Sequence, residues 1–143
     1  MTQPFEAGIV VADAEVMERF YRDALGCRPV HRSVVPREIG GPAGLGGEPR
    51  VVWLQVPAGG RIKLIRPQVA AASVPAAEPL TARRGLAYLT FHLDDIDPVV
   101  AALPAAGARP LSSPIVVRAR ERRISFWADP EGNVVELVDR RSN

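Results

Sequence analysis

The chain has 143 residues, is 47% hydrophobic and 24% charged, and carries a net charge of +2; this is the make-up of a soluble globular protein with enough apolar residues to build a core. No apolar run approaches the ~20 residues of a membrane span, and the start MTQPFEAGIV lacks the basic region and long apolar core of a signal peptide, so a cytoplasmic protein with no membrane partner is expected. The single cysteine, Cys27, permits no internal disulfide, and the densest basic run, RARERR at Arg118–Arg123, is short, contains Glu121 and has no interleaved aromatics, which reads as a solvated hairpin tip and not as a nucleic-acid surface.

In chain order, an alternating strand over 5–12 leads to Asp13, a helix N-cap, and to a helix over 14–25 that closes at Gly26. Val16, Phe20 and Ala24, with Met17 beside them, share one face of that helix. Cys27, just past it, reads as a small packing residue in preference to a nucleophile. Strands follow over 29–36, 51–57 and 60–66, the first two separated by a Gly-rich loop at 37–50 that lacks the Gly-Lys-Ser/Thr of a P-loop and is expected to be mobile. The Ala- and Pro-rich stretch 67–84 has no periodicity and reads as a linker. Beyond it come strands over 86–94, 109–118, 122–128 and 133–139, with a weaker helix over 96–106 that Pro104 ends or kinks.

The two halves repeat one another. Asp13 and Asp95 stand 82 residues apart, Arg28 and Arg109 (each followed by Pro) 81 apart, and VPAGGRIKLI (56–65) matches DPEGNVVELV (129–138) at an offset of 73. A repeat of this length decides the architecture. The expected fold is α+β: two βαβββ modules, 1–67 and 85–143, joined by a linker at 68–84 and forming a curled mixed sheet around a central cleft with the helices outside.

Strand residues alternate between faces. Ala7, Ile9 and Val11, Val52, Leu54 and Val56, Ile62 and Leu64, Leu89, Phe91 and Leu93, and Val135 and Leu137 make one apolar face. The opposite face collects Glu6, Trp53, Gln55, Arg61, Lys63, Tyr88, Thr90, His92 and Glu136. That face is either the solvent side of an open sheet or the lining of a ligand cleft; its mixture of rings, amides and opposite charges favours the cleft. Alignment on the turn and simple alternation disagree about the phase of Arg123, Ser125 and Trp127, so their facing stays open; His31, on the second strand, is expected to be exposed.

FYRDALG (20–26) after the first strand, FWADPEGNVVELV (126–138) near the end and the paired modules resemble the vicinal oxygen chelate superfamily of glyoxalases, bleomycin-resistance proteins and extradiol dioxygenases. In its metal-dependent members the resemblance puts the metal ligands at the positions of Glu6, Lys63, Tyr88 and Glu136. Lys63 and Tyr88 depart from the usual Glu or Gln and His. An ammonium has no lone pair and repels a cation, and neutral tyrosine is a poor ligand. The expectation is therefore no metal and no cofactor, with Lys63 taking the place of the metal's charge between Glu6 and Glu136.

On this reading the chain is a metal-independent isomerase, lyase or cyclase. Glu136 or Glu6 is its general base, Lys63 and Tyr88 are electrostatic partners, and His92, Thr90, Trp53, Gln55, Arg61 and Trp127 contact an oxygen-rich small molecule, aromatic or not. The alternatives are a drug-sequestering binding protein of the bleomycin-resistance kind and a metal enzyme with atypical ligands. The resemblance further implies a homodimer.

Overall fold

The computed structural model describes residues 4–117 and 122–140. It divides into two compact units, Met1–Ser73 and Val74–Asn143, each an α+β module with its own mixed sheet. In the first unit the elements are β1 (Glu6–Val10), α1 (Ala14–Asp23), β2 (Arg28–Val34), α2 (Arg37–Gly40), β3 (Arg50–Gln55) and β4 (Arg61–Arg66), with sheet order β1-β4-β3-β2. β1 runs parallel to β4 and the remaining pairs are antiparallel. In the second unit β5 (Leu89–Leu93), α3 (Asp97–Ala102), β6 (Arg109–Pro110), β7 (Ile115–Val117), β8 (Arg122–Ala128) and β9 (Val134–Arg140) give the order β5-β9-β8-β6, with β7 also on β8. Again the first strand is parallel to the last, so the sequence repeat is a repeat of topology.

α1 forms where its start, stop and stripe agree. The Asp13 carboxylate accepts the Val16 N–H at 3.1 Å. At the other end Gly26, with φ +74°, lets the chain leave through hydrogen bonds from Gly26 N to Arg22 O and from Cys27 N to Tyr21 O, a glycine closure that a side chain at Gly26 would strain. Met17, Phe20 and Tyr21 are buried against β2, β3 and β4, each worth about 1.5–3 kcal/mol of removed apolar surface.

Two expectations change. The strand foreseen over 109–118 breaks into β6 and β7, because Pro110 and Pro114 lack N–H donors; the N–H groups of Leu111 and Ser112 both reach the Phe126 carbonyl instead. The loop 37–50 is not without structure of its own. It opens with the one-turn α2, and Gly40 packs so tightly on the Gly47 carbonyl that a Cβ would sit 1.9 Å from that oxygen. Of the RARERR run, residues 118–121 lie outside the described residues.

Candidate functional site

The register assembles the polar face of the first sheet in rows. His31, Trp53 and Lys63 are successive cross-strand partners, and Lys63 in turn faces Gly8. Cross-strand partners share a face. The His31 and Trp53 rings lie 5.0 Å apart, tilted by 53°, and the Lys63 ammonium stands 5.7 Å from the Trp53 ring centre, within cation–π range. Lys63 is also 3.7 Å from the Glu6 carboxylate, in a half-exposed pair. The Glu6–Lys63 part of the expected network is therefore present within this unit. In the next row Arg61 Nε donates to Gln55 Oε1 at 3.2 Å, and Gln55 Nε2 donates to the carbonyls of Val56 and Gly60. Gln55 is thus committed to the β3–β4 turn, not to a ligand.

In the second unit Glu136 lies on the face opposite Val135 and Leu137, both fully buried. Its parallel partner is Thr90, whose hydroxyl donates to Glu136 Oε1 at 2.7 Å. Among the described residues Oε2 has no protein donor. Glu136 is therefore not a buried charge: it faces the accessible side and one of its oxygens is held. Tyr88 stands just ahead of β5, its ring edge-on to Phe126 at 5.1 Å, and Phe126 is the cross-strand partner of Glu136. His92, two residues past Thr90, is exposed on the same face.

Trp127 is corrected. It pairs with Val135 on the buried face, is 4% exposed, and donates from its indole to the Ser125 hydroxyl at 2.9 Å. It fills the core and is no ligand wall. Arg123 turns inward as well. Its guanidinium reaches Asp139, Asp95 and Asp97 at 2.7, 3.1 and 2.7 Å, and its backbone N–H also donates to Asp139. Burial pushes the Asp139 carboxyl up, but these bonds and the Ile96 N–H hold it below the usual carboxylate range. The DPEGN motif is likewise structural: Asp129 accepts from the N–H groups of Glu131 and Asn133 and from the Asn133 amide. Cys27 is buried, and burial pushes its thiol up to about 12, which leaves it inert.

His31 is exposed, as expected; what the sequence did not show is that the bulge between Pro29 and His31 sets it opposite Trp53. Phe126, on the polar face of the second sheet as the partner of Glu136, shared the phase ambiguity of Trp127.

The donor set does not suit a divalent cation. Among the described residues no three His, Cys, Asp or Glu side chains gather as a metal site. Of the four positions the resemblance assigns to ligands, one holds an ammonium already beside Glu6 and another a phenol.

The sequence matches the family described as Glyoxalase/Bleomycin resistance protein/Dioxygenase superfamily over residues 6–126. No curated protein matches it. Among solved structures it is similar to a glyoxalase family protein from Bacillus cereus (23% identity, TM-score 0.79, covering 97% of this chain and 94% of that one). It is also similar to glyoxalase I from Zea mays (17% identity, TM-score 0.73, 99% of this chain and 46% of that one). A third is the fosfomycin resistance protein FosX from Listeria monocytogenes, complexed with Mn(II) and sulfate (12% identity, TM-score 0.65, 99% and 94%). At these identities the structural likeness shows the fold alone.

Proposed function

The chain belongs to the glyoxalase/bleomycin resistance protein/dioxygenase superfamily, and from that premise we propose that it is a metal-independent enzyme that moves a proton on a small oxygen-rich molecule, with Glu136 as the general base. The observation that carries this is the half-held carboxylate: Thr90 fixes Oε1 at 2.7 Å and leaves Oε2 for a substrate C–H. Glu6 is the weaker candidate for the base because Lys63 stands against it. In the proposed step Glu136 takes a proton from a carbon next to a carbonyl. The electron pair moves onto the carbonyl oxygen, and the proton returns to a carbon or leaves with a departing group. A fixed hydroxyl donor stabilises the developing oxyanion; Tyr88, just ahead of β5 and against the Glu136 partner Phe126, is proposed for this part.

The test reads the C–H bond itself, so it works whatever the product is. A panel of α-hydroxy and α-oxy carbonyl compounds is incubated with the protein in D2O and followed by proton NMR. The expected result is loss of one C–H signal with the wild type and at least a hundredfold slower loss with Glu136→Gln. Unchanged exchange in that variant removes Glu136 from the role. A second reading, a sequestering protein, draws on the His31–Trp53–Lys63 row, which offers a flat ring and a cation to an aromatic ligand. Tight binding of a compound that emerges without exchange or turnover favours it.

A further inference from the structure

The face of the first sheet opposite Trp53 and Lys63 ends in a row formed by Val34, Arg50 and Arg66. Arg50 and Arg66 are directly opposed across β3 and β4, so their Cβ atoms stand ~5 Å apart, an arrangement that destabilises a sheet when the charges are alike. Both line one cavity of about 440 Å³, together with Val34, Glu48, Pro67 and Gln68. Among the described residues neither guanidinium has an ion-pair partner. Glu48, the carboxylate on the wall, is paired with Arg37 at 3.6 Å. Gln68 is pinned, its Oε1 accepting the Glu48 N–H at 2.8 Å, which leaves its Nε2 as a further donor.

Two guanidinium forks and an amide therefore converge on a walled space. We propose that this recess binds the phosphate group of a small phosphorylated metabolite. Each fork can engage two phosphate oxygens. A dianion matches both cations, whereas a single carboxylate leaves one uncompensated. The recess shares no residue with the polar faces carrying Glu136, Lys63 and Trp53, and the inference does not depend on the reaction proposed there.

The experiment titrates the purified protein with glycerol phosphate and, separately, with inorganic phosphate. Ionic strength is held constant with chloride, and binding is read by calorimetry and by the thermal midpoint. The expected result is a saturable rise in midpoint with glycerol phosphate, weakened at least tenfold in the Arg50→Gln/Arg66→Gln double variant and unchanged in Arg84→Gln, an exposed arginine far along the linker. Without ligand the double variant should unfold at the same temperature as the wild type or higher, since two opposed charges are gone. No saturable binding, equal binding by the double variant, or a lower unliganded midpoint overturns the proposal. Inorganic phosphate binding as tightly as the ester overturns its metabolite part in favour of the free ion.

Discussion

The two units share a strand order, yet they hold their helices differently. α1 has ten residues and buries Met17, Phe20 and Tyr21, with a local cap at Asp13. α3 has six residues, none of them buried, and no side-chain cap from its N-cap residue, Ile96. Only the flanking Ile96 and Leu103 are fully buried. What ties the start of α3 to its sheet is charge: Asp139 of β9 accepts the Ile96 N–H, and Arg123 of β8 bridges Asp139 to Asp95 and Asp97. The hairpin turns differ in the same sense. Asp129 builds the β8–β9 turn with its own carboxylate, whereas the equivalent Val56 cannot, and the neighbouring Gln55 bonds the β3–β4 turn from the side. Where an apolar stripe is too short to fix a helix, a buried hydrogen-bonded carboxylate does so, at the desolvation cost that makes its removal severe.

The strongest way to break this comparison is to remove the acid on which each helix start depends. Asp139→Ala should cost about 3–5 kcal/mol, the range for breaking a buried ion pair, and Asp13→Ala about 1 kcal/mol, as for an ordinary N-cap; urea denaturation of the two variants measures both. Equal losses would erase the distinction. The same variant carries a pH signature. Because the folded Asp139 pKa is depressed, its stabilisation is present above the unfolded carboxylate value near ~3.9 and is lost as pH falls through the folded value. The wild type should therefore lose stability below about pH 4, and Asp139→Ala should show a flatter acid limb.

A smaller effect sharpens the likeness of the units. Cys27 follows Gly26 as Ala108 follows Gly107, and both are buried. Cys27→Ala should shift stability by about 1 kcal/mol or less, and the native thiol, raised to about 12 by burial, should resist iodoacetamide at pH 8. Rapid alkylation of the folded protein would contradict the packing role.

Periodicity sufficed for the repeat, α1, and the faces of β1, β4, β5 and β9, because each signal there is local: alternating residues, a capping Asp, a closing Gly. It failed where the structure depends on distant partners. The inward turn of Arg123 needs Asp95, Asp97 and Asp139 together, which no short window displays. Trp127 could be phased only by its pairing with Val135. The Glu6–Lys63 pair was legible only through the family resemblance, which assigns both positions to one site; the parallel register that sets them side by side was not. The Thr90–Glu136 bond was legible only as a shared face, and the roles of Gln55 in the turn and of the Arg50–Arg66 pair in a cavity were not legible at all.

The proposal that Glu136 moves its proton without a metal meets its most direct test in the proton-exchange activity itself, measured after exhaustive dialysis against a chelator and again after adding Ni(II), Zn(II), Mn(II) or Fe(II). The same rate is predicted throughout. A rate lost on chelation and restored by one of these ions would contradict the metal-independent proposal.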